Sequence, residues 1–150
     1  MSEVLQGPGA GPMVLVVDDD PLQREEITHC LTNLGIRTHE EGNGHAALKA
    51  VASMHPAVVI MDIKMPGMDG IDAVKALQDA NGYIPKIILI TGYPESLYRA
   101  NRIGLPIHSV IEKPVPLRHL SQFVLSALEQ EEEETTINFS ESGAVQGETS

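Results

Sequence analysis

Four short apolar runs in this chain each end on a polar residue. Val14-Leu15-Val16-Val17 leads into Asp18-Asp19-Asp20, and Val58-Val59-Ile60-Met61 into Asp62. Ile87-Ile88-Leu89-Ile90 leads into Thr91, and Val110-Ile111-Glu112 into Lys113-Pro114. The runs are continuous rather than alternating, as expected for strands covered on both faces, and helical patterns lie between them. That combination points to βα units around a parallel sheet. In such a sheet ligands bind beyond the carboxyl ends of the strands, so the four polar ends can converge on one pocket. Carboxylates, a hydroxyl and an ammonium together suit a magnesium ion and a phosphoryl group.

The helices follow from spacing and punctuation. Ile27, Leu31 and Leu34 keep helical spacing, with Gly35 placed to stop that helix. Ile36-Arg37-Thr38 reads as a short second strand near an edge. Ala46 to Val51 forms a small-residue helix after the Glu41-Gly42-Asn43-Gly44 turn, and Ile71, Val74 and Leu77 define a helix that Asp69 would cap. Pro94 to Arg102 reads as a short helix. Leu117, Leu120, Phe123, Val124, Ala127 and Leu128 make one apolar stripe on the last. The expected architecture is α/β, with five strands and five helices in alternation.

Charge divides the chain. The formal net charge is −11, yet all ten Lys and Arg lie at or before Arg118 and seven acids follow it. No basic stripe exists to neutralise phosphates, so no nucleic-acid partner is expected. Residues 1–12 read as a flexible Gly/Pro-rich lead-in, 13–128 as one folded domain, and 129–150 as a disordered acidic tail. The start MSEVLQGPGAGP lacks the charged and apolar regions of a signal peptide, and no apolar run approaches a membrane span. A cytoplasmic protein without membrane contact is the expectation. The single cysteine, Cys30, excludes an intramolecular disulfide and the common zinc spacings. The six histidines show no ligand spacing and read as surface residues.

Taken singly, each polar end has an ordinary explanation. Asp18-Asp19 can be a polar turn, Asp62 a cap, Thr91 a strand-end hydroxyl and Lys113 a surface lysine. All four at the same kind of position, in order on one sheet, is a different matter. The segments VLVVDDDP, VVIMDIKMPGMDG, ILITG and IEKP resemble the receiver domain of two-component response regulators, over roughly Met13 to Leu128. The second segment is highly specific, and the 22 residues from Thr91 to Lys113 agree with the family.

The resemblance implies a doubly wound, flavodoxin-like receiver fold with strand order 2-1-3-4-5. It implies Asp62 as the phosphoacceptor, taking a phosphoryl group from a sensor histidine kinase or histidine phosphotransfer protein. Mg²⁺ would be held by Asp18 (through water), Asp19, Asp62 and the backbone carbonyl of Lys64. Lys113 and Thr91 would contact the phosphoryl oxygens, a cis bond would precede Pro114, and Asp20 would only supplement the charge. A downstream protein would dock on the face formed by the fourth helix, fifth strand and fifth helix.

Two features depart from the family. Val110 stands where an aromatic is common, and Gly104-Leu105-Pro106-Ile107-His108 implies a shortened fourth helix and a longer loop. A bulky Tyr93 would hinder in-line water and slow self-hydrolysis. The expected protein is a stand-alone receiver, a switch or relay and not an enzyme of turnover. The alternatives are an aspartate-nucleophile phosphohydrolase and an unphosphorylated receiver-like binding module. Lys64, where such hydrolases carry a general acid, stands against the first.

Overall fold

Each apolar run becomes a strand whose side chains alternate between two helical layers. The computed structural model describes residues 11–102 and 104–129. The strands are β1 (Met13–Val17), β2 (Arg37–Glu41), β3 (Val58–Asp62), β4 (Lys86–Thr91) and β5 (Ser109–Glu112). The helices are α1 (Pro21–Thr32), α2 (Gly44–Met54), α3 (Gly70–Ala80), α4 (Pro94–Arg102) and α5 (117–129). The sheet is parallel throughout, in the order β2-β1-β3-β4-β5.

Leu15, Val17, Val59, Met61, Ile87 and Leu89 pack on one side against Val51 of α2, Ile71 and Val74 of α3, and Ala100 of α4. Val14, Val16, Val58, Ile60, Ile88 and Ile90 pack on the other against Ile27 and Leu31 of α1 and Leu120, Val124 and Ala127 of α5. Both faces of the central strands are therefore dry, which is why their sequences carry no polar alternation. No helix among the described residues is long and apolar enough to cross a membrane.

Three local readings change. The second strand begins at Arg37, not Ile36, and runs on to Glu41, half-buried along its length at the sheet edge. Leu34 lies outside α1 and is 51% exposed, because the helix ends at Thr32 and Gly35 turns the chain with φ +81°. Phe123 is 40% exposed. At 100° per residue it sits at the edge of the arc centred on Leu120, Val124 and Ala127, so the stripe is narrower than its apolar content suggests. Cys30 is a boundary residue, its Sγ 3.2 Å from Ser121 Oγ of α5. The expected lead-in up to residue 10 and the acidic tail from residue 130 lie outside the described residues.

The helices that start beside the strand ends are capped by the polar residues there. Asp20 accepts the Leu22 N–H at 3.0 Å with Pro21 opening α1, and Asn43 accepts the Ala46 N–H at 2.8 Å. Asp69 and Asp72 form a reciprocal capping box at α3. The start of α3 is pressed against the end of β3. Gly70 N–H donates to the Ile63 carbonyl at 2.8 Å, and a Cβ on Gly70 would lie 2.6 Å from the Asp62 carbonyl oxygen. Gly70→Ala is expected to destabilise the domain by about 1–3 kcal/mol in urea unfolding. Gly82→Ala, where an added Cβ meets nothing within 4 Å, is expected to stay within about 0.5 kcal/mol of the parent.

Candidate functional site

Backbone hydrogen bonds align the carboxyl ends of the strands. Asp18 N–H donates to the Glu41 carbonyl at 3.2 Å, Ile63 N–H to Ile90 at 2.8 Å, and Lys113 N–H to Thr91 at 2.7 Å. Each bond continues a parallel ladder one step past a strand. The polar side chains that follow the apolar runs are thereby carried to the same edge of the sheet.

Asp18, Asp19 and Asp62 each present an oxygen to one spot, all within 4.8 Å of one another. Asp18 and Asp62 are buried, and Asp19 is exposed to solvent. Lys113 reaches across from the end of β5, its Nζ donating to Asp62 Oδ2 at 3.0 Å. Its peptide bond to Pro114 is cis, as expected. Asp18 Oδ1 accepts the Asp20 N–H at 2.9 Å. Asp18 Oδ2 is buried without a hydrogen-bond partner, and the Lys113 ammonium at 3.8 Å is too distant to serve as one.

Thr91 closes β4 and is fully buried, its Oγ1 accepting the Tyr93 N–H at 3.1 Å. An accepting hydroxyl keeps its own proton for a second partner. Lys64 lies on the loop after β3, where its backbone helps draw the Asp62 carboxyl down against the effect of burial. Its ammonium sits 5.3 Å over the Tyr93 ring. Tyr93 itself is 48% exposed at the rim.

Burial dominates the electrostatics. It pushes the Asp18 carboxyl up to about 6, against the Asp20 N–H, with the Asp62 charge adding to the rise. Asp62 is also raised by burial, while the Lys113 hydrogen bond and charge pull the other way. For Lys113 burial lowers the pKa, but the Asp62 hydrogen bond and the neighbouring carboxylates outweigh it and leave the ammonium favoured. Three acids against one ammonium leave the pocket short of positive charge.

A divalent cation fits this deficit. The donors are all oxygen, two are buried and one faces water, and Asp18 Oδ2 lacks a partner. Hard, partly hydrated Mg²⁺ suits such a set. The carboxylates and the lysine singled out in the sequence lie together in one pocket. Asp20, read as a charge supplement, instead caps α1, and the Asp-Pro pair was the available signal. Arg24, not singled out in the sequence, contacts the Asp18 backbone.

Without a cation, the raised Asp18 pKa costs stability. The folded value of about 6 exceeds the ordinary 3.8, so the native state binds the proton more tightly than the unfolded chain. Stability from this group is full below pH 3.8 and is lost as pH rises through about 6. Asp18→Asn is expected to raise metal-free stability by about 1–3 kcal/mol at pH 7.5. The gain should shrink steadily on acidification, as read by urea unfolding in chelator at several pH values.

The response regulator receiver domain family matches residues 14–125. The regulatory protein AtoC of Escherichia coli (strain K12) is 35% identical over 116 residues, covering 77% of this chain and 25% of AtoC. The DNA-binding response regulator MtrA of Mycolicibacterium smegmatis is 32% identical over 121 residues, covering 81% of this chain and 52% of MtrA. The chain thus spans a quarter to about half the length of these relatives. Among solved structures, a CheY-like response regulator receiver domain protein from Methanospirillum hungatei JF-1 superposes with a TM-score of 0.70 at 26% identity. That superposition covers 82% of this chain and 98% of the other. With the sheet order and the acidic pocket already in place, the conclusion is direct: this chain belongs to the response regulator receiver domain family of two-component signalling.

Proposed function

We propose that Asp62 accepts a phosphoryl group from a phosphohistidine on a sensor histidine kinase or histidine phosphotransfer protein. The Asp62 carboxylate oxygen attacks phosphorus, the N–P bond breaks, and its electron pair returns to the imidazole. The observation that carries this reading is Lys113 Nζ on Asp62 Oδ2 at 3.0 Å, beside the unpartnered Asp18 Oδ2. Lys113 orients the nucleophile and then follows the charge onto a phosphoryl oxygen. The Thr91 hydroxyl, still free to donate, serves another phosphoryl oxygen. Oxygens of Asp18, Asp19 and Asp62 and the Lys64 carbonyl would hold Mg²⁺, which supplies the charge needed for two anions to meet.

Direct coordination by Asp18, rather than contact through water, is favoured by its buried, unsatisfied oxygen. Lys64 occupies the position two residues after the nucleophile, and its ammonium is engaged with Tyr93 rather than offering an acid. This arrangement supports a phosphoacceptor over a hydrolase of rapid turnover. The signal would pass by protein contact through the face of α4, β5 and α5. On that face Val110 is half-buried and packed among the residues beneath α4.

Acetyl phosphate with Mg²⁺ is expected to add the mass of one phosphoryl group to the protein and none to Asp62→Asn. An unchanged wild-type mass would overturn the assignment in favour of an unphosphorylated binding module. Retained labelling of Asp62→Asn would move the acceptor elsewhere.

The lifetime of the phosphoryl group should be long, because the Lys64–Tyr93 pair obstructs the approach of in-line water. An exposed cation–π contact of this kind is worth about 0.5–1 kcal/mol. Tyr93→Ala is expected to speed loss of label roughly two- to fivefold. A label lost within seconds from the wild type in magnesium buffer would remove the obstruction from the account.

A further inference from the structure

The acidic pocket has a fastening outside it that carries no carboxylate to the cation. Arg24 lies in α1, one turn beyond the cap Asp20, whose carbonyl accepts the Arg24 N–H at 3.0 Å. The Arg24 guanidinium turns back toward the sheet. Its Nη1 donates to the Asp18 carbonyl at 2.6 Å and its Nε to Glu40 Oε1 at 2.9 Å. The side chain is mostly shielded, at 21% exposure. Gly42, in the turn after β2, lies beside the guanidinium, and a Cβ there would sit 3.4 Å from Nη1, at ordinary contact distance.

The two peptide groups flanking the Asp18 side chain are thus held from separate elements. Its N–H is taken by the Glu41 carbonyl of β2, and its C=O by Arg24 of α1. Glu40, beside Glu41 on the same edge strand, orients the guanidinium that makes the second bond. A buried carboxylate with an unsatisfied oxygen gains by turning away toward water unless its backbone is fixed. Here α1 and the edge strand β2 supply that fixation through one planar, multi-donor side chain. Lysine offers a single ammonium and lacks the fork that reaches two acceptors in fixed directions.

We infer that Arg24 is a positioning residue for the cation site: bridging the Asp18 carbonyl and Glu40, it holds the β1–α1 turn so that the Asp18 and Asp19 carboxylates face Asp62. This inference rests on the proposed reading of the pocket as a Mg²⁺ site. Arg24 contacts neither cation nor phosphoryl group. It acts through the backbone of a ligand, and Glu40 is its partner in that role.

The test is Mg²⁺ titration of the full chain, followed by amide chemical shifts, for wild type, Arg24→Ala, Arg24→Lys and Glu40→Gln. Urea unfolding in chelator runs alongside. Arg24→Ala is expected to weaken Mg²⁺ binding roughly tenfold, as for other groups that orient metal ligands. Arg24→Lys and Glu40→Gln are expected to fall between it and wild type. A merely structural role would lower urea stability and leave Mg²⁺ affinity unchanged, and that result overturns the inference. Should Arg24→Ala fail to fold, Arg24→Lys and Glu40→Gln decide, and wild-type affinity in both overturns it equally. Absence of Mg²⁺ binding by the wild type would instead sink the cation-site reading itself, and this inference with it.

Discussion

Everything at the functional end of this molecule depends on burying like charges together. Asp18 and Asp62 are carried into shielded positions by β1 and β3, two paired strands, and Asp19 follows Asp18. One ammonium, from Lys113, is fastened to Asp62 at 3.0 Å. That single charge-assisted bond offsets part of the repulsion and leaves the remainder unbalanced. The core must absorb the cost. It does so with two dry layers of aliphatic side chains on either side of the sheet, built almost without aromatics. A well-packed scaffold is what permits a strained electrostatic site at its edge, and it gives the pocket its appetite for an added cation.

The fold was legible because the central strands are buried on both faces. VLVV, VVIM and IILI have no polar interruption to confuse strand with surface helix, and their polar terminators mark where each strand stops. The edge strand was harder. β2 reads Arg-Thr-His-Glu-Glu, half-buried and largely polar, so only its first residues carried a strand signal. Periodicity also overstated the apolar stripe of α5. A sequence pattern records which residues are apolar, whereas burial depends on how wide an arc the neighbouring helix and sheet can cover. Phe123 falls at the edge of that arc despite its size.

The carboxylates and the lysine of the site were legible for a related reason: each sits directly after a run that fixes its direction. Residues that act through the backbone left weaker traces. Asp20 belongs to the same acidic triplet as Asp18 and Asp19, yet the helix takes its side chain as a cap. Its neighbour Pro21 is the sequence sign of that division of labour. Arg24 shows no such sign. Its bonds run to the Asp18 carbonyl and to Glu40, sixteen residues away on β2, and a contact of that kind emerges only when helix and edge strand are brought together.

The rim of the pocket suggests how a signal would leave it. Val110 stands on β5 where the resemblance leads one to expect an aromatic. It is packed against the layer beneath α4 and has no ring to swing. Tyr93 is better connected: its N–H is bonded to Thr91 Oγ1, its ring lies under the Lys64 ammonium, and α4 begins at the next residue. α4 is tied in turn to the start of α3, where Arg99 Nη1 meets Asp69 Oδ2 at 3.2 Å. A Thr91 drawn toward a phosphoryl oxygen would pull on the first residues of α4 through the Tyr93 backbone. The displacement would have to be shared with the Lys64 contact and the Arg99 tie. On the proposed reading, communication would run along the backbone from β4 into α4.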